Sequence, residues 1–541
     1  MKLLKVLCVA VIAIAIATSS YAAVQNIKVS GSIDEKAIYL NNYDLRNTSE
    51  ESTNTRNPGF VAANGSGNSI NEDGDSGILS TIHVGIDSDL TDNVSASIVL
   101  SNQSWWGSDT TAGNVANVSV NKAYVTLKEF FYQPLTLKIG RQDLMFGTGF
   151  IVGPGIFRDP SGAFAAPRAD VIDDRFVIGN NATAISGPLA QQFSDATWYD
   201  AIRATLDFDP WTIDSVYAKI NETGTAHADH DLTGVNVAYK FDEYNAKAEG
   251  YYWYSRDDSF NSDLGYIDPV DYQRINALVA ANPTIPAFYA DNTVPGVGAR
   301  QYEENDVHVV GLRGDIEPVE SLLLSGEGAY QWGHLNDLVG AWNDSTDGAT
   351  LERKRSAWAV DLKGDYLWKD VSYKPSAGLG YVFLSGNKTG NSGKFKGWDP
   401  MFKGKFYSLI RDYQHGTGTA WNNIGGNIYQ TLDYRAPSGS TNSHILYVDG
   451  GLKPMDDLSI KARYLHFWAA ERATIGSQAR NGRSIGDEVD GSLIYDYTED
   501  VQFDLTGGVF LPGKLFDNNT DALTKGNDTA VIMTGGVKVV F

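Results

Sequence analysis

From Ile78 onward the chain is a run of period-two segments whose connections alternate between short and long. Ile78, Ile82, Val84 and Ile86 alternate with Leu79, Thr81 and His83, and the chain then turns at Leu90-Thr91-Asp92-Asn93 into Val94, Ala96, Ile98 and Leu100. The same short turns recur at Asp209-Pro210-Trp211, Asp242-Glu243-Tyr244, Glu317-Pro318, Lys369-Asp370, Pro454 to Asp457 and Thr498-Glu499-Asp500. Between them lie long polar stretches: Asn41 to Ser76, Met145 to Tyr199, Arg256 to Asn305, His334 to Arg355, Gly386 to Asn442 and Pro512 to Asn527. Strand side chains alternate faces, so each segment has one apolar and one polar edge. About ten tilted residues is also the length that crosses a bilayer. Short turns on one rim and long loops on the other predict a transmembrane antiparallel up-and-down β-barrel of about 18 strands, with periplasmic turns and extracellular loops.

The last segment, Asp528 to Phe541, carries Val531, Met533, Val537, Val539 and Phe541 on one face, with Thr534, Lys538 and glycines largely filling the other. A bare apolar strand ending a soluble sandwich would invite aggregation. In a closed barrel it zips to the first strand, Ile27 to Leu40. A terminal aromatic resembles the ending of bacterial outer-membrane barrels, where the assembly machinery reads it, so Phe541 implies that partner.

The N-terminus sets the compartment. Lys2 and Lys5 precede an apolar run from Val6 to Ala17 and a small-residue pattern at Ser20-Tyr21-Ala22. This predicts a signal peptide over 1–22 and one barrel domain over 23–541, exported to the outer membrane. The lone Cys8 lies inside that leader, leaving neither a disulfide nor a thiolate metal site. The formal net charge is −23 and becomes more negative once Lys2 and Lys5 are removed, which argues against nucleic acid as a partner. No later window is apolar over the roughly 20 residues a membrane helix needs. The expected partners are outer-membrane lipid or lipopolysaccharide and a small solute, with the chain a monomer.

A charge on the lipid face near mid-bilayer costs about 2–4 kcal/mol, so mid-strand charges are expected to face the lumen. Parity places Lys28, Lys122, Lys138, Arg203, Lys219, Lys247, Arg313, Lys363, Lys461, Arg463 and Lys538 there. Glu249, Glu327, Asp361, Asp365, Asp449, Glu488, Asp490 and Asp504 share that face. The functional reading is a basic ladder guiding an anion, carried by Arg463 with Lys461 and by Arg203 with Arg313. The plain reading is a set of paired charges that keeps the interior hydrated.

The stretch KIGRQDLMFGTGFIVGP, Lys138 to Pro154, resembles the core of the alginate-export family of outer-membrane porins. GEGAYQWG (Gly326 to Gly333), YVFLSGN (Tyr381 to Asn387), WDPMF (Trp398 to Phe402) and IGDEVDGSLIYDYTED followed by FLPG (Ile485 to Gly513) are similar to further blocks of that family, in its order. The resemblance implies an 18-stranded barrel that passes an anionic polysaccharide or related solutes through a basic lumen. It places Arg141 and Gln142 at the constriction end of their strand and Glu327 and Glu488 on the wall. The chain departs from the family in its acidity, its mixed-sign lumen and SGN in place of SGD.

No catalytic residue, metal site or cofactor is expected. Gly74-Asp75-Ser76-Gly77 matches a protease nucleophile string but has no histidine upstream, since the first is His83. His227, Asp229 and His230 sit in a loop, and Asn343 to Gly348 lacks the later ligands of a calcium loop. Two other classes stand as alternatives. A barrel-borne surface protease or lipase would need a histidine–carboxylate pair at a strand's outer end; a structural or adhesion barrel would have its loops packed shut.

Overall fold

In a computed structural model the described residues are 26–42, 74–106, 118–153, 199–221, 230–257, 301–302, 305–334, 338–339, 354–387, 394–412, 441–472, 474–475, 478–479, 482–515 and 528–541. The leader, residues 1–22, and the loop candidates His227, Asp229 and Asn343 to Gly348 lie outside them.

Eighteen long strands form one closed antiparallel sheet. In chain order they are β1 Asn26–Asn41, β2 Gly74–Thr91, β3 Val94–Trp105, β4 Ser119–Leu127, β5 Leu135–Gln142 and β6 Tyr199–Asp207. Next come β7 Trp211–Asn221, β8 His230–Phe241, β9 Ala246–Asp257, β10 Asn305–Val319, β11 Leu322–His334 and β12 Lys354–Leu367. The circuit ends with β13 Ser376–Leu384, β14 Ser443–Met455, β15 Leu458–Ala469, β16 Ser484–Asp496, β17 Val501–Pro512 and β18 Ala530–Val540. Each pairs with its neighbours in sequence, and β18 returns to β1 from Ser32↔Val540 to Asn41↔Val531. Beyond that ladder Gly31 and Phe541 exchange backbone hydrogen bonds of 2.7 and 3.0 Å, so the seam is sealed to the last residue. Among the described residues the eighteen-strand sheet has no open edge to pair with another chain.

The tight turns all lie on the rim that holds Phe541. One is a short 3-10 turn over Asp242–Tyr244, ended by Asn245 in the left-handed region at φ 47°, a conformation asparagine tolerates. The outer wall is apolar: Val84, Leu312, Leu379, Val448 and Val489 are all exposed, Leu312 by 72%. Ring pairs collar the short-turn rim, among them Trp211–Tyr239, Tyr239–Phe241 and Tyr366–Trp368, with centroids 4.5–4.7 Å apart. An apolar coat between aromatic collars is what a hydrocarbon layer selects.

The inner wall changes character along its length. Toward the short turns it carries Asp214, Glu249, Lys363, Asp449 and Arg463. Toward the long loops it carries Val216, Ala218, Leu232, Trp253, Val309, Ala359, Val382, Ile445, Leu465 and Phe467, all buried. A uniformly wet interior would not bury these. They are covered because two chain segments fold back into the barrel at that level.

Candidate functional site in the barrel lumen

The first inserted segment follows β5. Past Gln142 the chain turns inward, and Leu144, Phe146, Phe150, Ile151 and Val152 are buried. The Phe146 ring lies 4.6 Å from that of Trp253, and the Arg203 guanidinium lies 5.0 Å from its centroid. The second segment, residues 394–412, buries Phe395, Trp398, Met401, Phe402, Tyr407 and Ile410. The two segments pair with each other: Gly153 N–H donates to Phe402 O at 2.8 Å, Phe402 N–H to Ile151 O at 3.1 Å and Gly404 N–H to Gly149 O at 2.7 Å. Gly149 has φ +77°, and a Cβ there would stand 3.3 Å from the Gly404 carbonyl carbon; at Gly153 it would overlap Gly404 outright. Gly149 and Gly153 are therefore required by backbone approach, and Gly149 by conformation as well.

Buried backbone groups of such a segment need partners, and the wall supplies them. Gln331 donates to Asp399 O at 2.7 Å and accepts from Asp399 N–H at 2.9 Å. Arg355 reaches the Asp399 carboxylate at 3.1 Å. Tyr199 OH donates to Gly153 O at 2.8 Å. Glu488 accepts from Ile410 and Arg411 N–H at 2.7 and 3.0 Å, and Asp490 from Leu409 N–H at 3.2 Å. Lys405 pairs with Asp361, to which Tyr407 OH donates at 2.7 Å. Burial and the Asp361 carboxylate push the Tyr407 phenol well above its ordinary pKa, so this hydroxyl remains a donor.

Most lumen charges expected from sequence are present as pairs. Arg203 Nε lies 2.8 Å from Asp214, and Arg463 makes a fork with Asp449 at 2.5 and 3.2 Å while donating to Tyr407 O at 2.7 Å. Arg313 bonds Glu249 and Asp315 at 2.6 and 2.5 Å and stands 3.9 Å from Glu327, which accepts from Tyr251 OH at 2.7 Å. Lys461 has no carboxylate partner among the described residues, nor has Lys138, whose ammonium sits 3.7 Å over the Tyr124 ring. Neither has Lys240, a lumen cation that the sequence reading missed although it alternates with Asn236 and Ala238.

Three expectations change. Gln142 is fully buried, and its amide donates to the carbonyls of Lys138, Gly140 and Ala201 at 3.0–3.2 Å, so it ties the strand end rather than lining a path. Arg141 shares its face with Ile139 and Ile202 and pairs at 3.0 Å with Asp200, which lies between the inward Tyr199 and Ala201; it is on the outer wall. Lys219 is likewise outside, 3.0 Å from Asp231. The reason is common to both. At the long-loop end the inserted segments make the inside apolar, and polar groups move outside, above the hydrocarbon.

Two cavities flank the inserted segments. One of about 470 Å³ is lined by Lys363, Lys461, Arg463, Asp449, Asp490 and Phe406. The other, of about 460 Å³, is lined by Arg203, Lys240, Lys247, Arg313, Asp214 and Glu249. Both mix signs. A serine–histidine contact occurs at Ser255 and His230, 2.9 Å apart, but both are at most 2% exposed and the imidazole packs against Phe402. The carboxylate pairs of His334 with Asp306 and of His466 with Asp487 lie on the outer wall. Among the described residues no group of three or more candidate ligands could hold a metal ion.

The family model described as alginate export matches residues 67–527. The chain belongs to the alginate export family. The matched residues include both inserted segments and every strand from β3 to β17. As a member of the alginate export family, with a closed wall and an apolar coat, it is an outer-membrane channel. Among solved structures it is similar to OpdK of Pseudomonas aeruginosa, at 9% identity and TM-score 0.45 over 96% of this chain and 99% of that one. It is also similar to OccK8 (OprE) of the same organism, at 11% and 0.44 over 96% and 98%, and to OmpT of Vibrio cholerae, at 9% and 0.36 over 96% and 100%. No curated protein matches the chain.

Proposed function

We propose that the chain passes acidic sugars, as oligomers or as small anionic solutes, by passive movement through its lumen. The observation that carries this reading is that three lumen cations, Lys461, Lys240 and Lys138, have no carboxylate partner among the described residues. Beside each of the first two is a ready-made ion-pair network, Arg463–Asp449–Lys363 and Arg313–Glu249–Lys247. A solute carboxylate meets a spare ammonium there, while the arginines stay neutralised by the wall. Binding is weak enough to release, because each contact is a single exposed ammonium screened by water. The wall is therefore selective through a few lysines rather than through a continuous basic ladder. The membership of the alginate export family supports the same solute class.

Liposome swelling tests it. Vesicles holding the protein are expected to admit a uronic acid faster than a neutral hexose of similar size, and Lys461→Gln with Lys240→Gln is expected to abolish that preference. Equal rates for the two sugars in the unmodified protein would overturn the reading.

A further inference from the structure

The outer wall carries the same ring assembly twice. On β9–β11, Tyr252 and Tyr254 meet His308, which meets Trp332; on β13–β15, Tyr381 and Phe383 meet His444, which meets Trp468. In both, the tyrosine hydroxyl lies 2.7 Å from the histidine Nδ1. In both, imidazole and indole are nearly parallel, with centroids 5.2 and 5.0 Å apart at 8° and 6°. The histidine and tryptophan are 24 residues apart in each. Each assembly sits in the last few residues before the long loops, on the face that carries Val310 and Leu312 or Leu446 and Val448.

An aromatic collar at a membrane interface accounts for tyrosine and tryptophan. It does not account for an imidazole at the centre of each stack, which adds desolvation cost and no greasy surface. With the tyrosine hydroxyl donating to Nδ1, a neutral ring carries its proton on Nε2. His308 Nε2 stands 3.2 Å from Asp306, while His444 Nε2 has no partner among the described residues. Cations lie at the same level: Arg256 and Lys354 end the first assembly's strands, and Arg483 acts electrostatically on His444. A flat stacked ring beside an N–H donor and a guanidinium or ammonium suits one kind of occupant at this depth, a sugar face carrying phosphate.

We propose that the Tyr381–His444–Trp468 assembly is a docking site for the phosphorylated sugar headgroup of an outer-leaflet glycolipid, whereas in the Tyr252–His308–Trp332 assembly Asp306 already holds the histidine Nε2 and repels a phosphate. The sugar packs on the exposed ring edges, and His444 Nε2–H with Arg483 takes the phosphate. The inference rests on the outer-membrane placement of the barrel and is independent of the solute that the lumen carries.

The test counts lipids held by the whole barrel in detergent by native mass spectrometry, with bis-phosphorylated lipid A as probe. Dephosphorylated lipid A and phosphatidylglycerol serve as competitors. The expected result is one lipid A molecule retained, with about tenfold preference over either competitor, the scale of one charge-assisted hydrogen bond. His444→Phe keeps the stack and removes the donor, and is expected to lose that preference while heat-modifiable mobility on gels reports an intact barrel; His308→Phe is expected to keep it. Equal retention of dephosphorylated lipid A, equal competition by phosphatidylglycerol, or undiminished preference in His444→Phe would each overturn the proposal. Channel current in His444→Phe should match the unmodified protein, which separates this inference from the lumen reading.

Discussion

Glu488 accepts the backbone N–H of Ile410 at 2.7 Å, from a carboxylate with no exposure to solvent. Its second oxygen takes Arg411 N–H, and Asp490, two residues on and on the same face, takes Leu409 N–H. Three successive amides of the second inserted segment are thus held by two carboxylates of one strand. Glu488→Gln keeps the volume, replaces one acceptor oxygen by a donor and leaves an amide without its partner, costing about 1–3 kcal/mol. The expected outcome is a lower unfolding temperature and noisier open-channel current in a planar bilayer. Unchanged noise would mean that segment 394–412 is held elsewhere.

Arg313 is bound by Glu249 and Asp315 and lies near Glu327. Removing it leaves several carboxylates close together without their cation, a loss of about 3–5 kcal/mol for a buried pair. Arg313→Gln should destabilise the barrel and move the current toward cations. Adding Glu249→Gln should recover part of the stability, measured by urea unfolding in vesicles. The same logic explains why neutralising Arg203, Arg313 and Arg463 together is a poor probe of the solute path: it frees carboxylates as well as removing positive charge.

Gly153 meets Gly404 backbone to backbone, leaving no space for a Cβ. Gly153→Val should break the pairing of the two inserted segments while leaving the wall intact. Larger single-channel conductance with unaltered heat-modifiable mobility is the expected signature. A smaller conductance would show that the pairing keeps the path open.

The ring of Phe541 lies over Gly31, where a Cβ would come within 2.6 Å of it. Gly31→Leu should therefore weaken the β1–β18 seam even though Phe541 is untouched. Folding yield into vesicles, without any assembly machinery, measures that effect. A full yield would leave Phe541 only its expected role as an assembly signal.

The wall was legible in the sequence because alternation and turn spacing are local. Val84 against His83, or Asp209-Pro210 between two strands, needs no knowledge of the rest of the chain. The arginine and lysine positions toward the short turns, Arg203, Arg313 and Arg463, followed from the same parity. Arg141 and Lys219 did not, because their faces are decided by what fills the barrel beside them. Placing Lys219 inside put Ala218 on the lipid face, whereas Val216 and Ala218 are both buried in the lumen. The partners of Glu488 were equally hidden: backbone amides some 78 residues away leave no mark in composition. What the sequence did mark was the glycine string after Phe146, whose spacing has no purpose in a strand.

The sign of the current is the most direct test of the account. In a planar bilayer under a potassium chloride gradient, the unmodified channel is expected to give a reversal potential on the anion-selective side, blocked from either face by a short uronic acid oligomer. Lys138→Gln, Lys240→Gln and Lys461→Gln together should bring that potential to zero or past it and remove the block. A cation-selective channel that the oligomer does not block, with the three lysines in place, would contradict it.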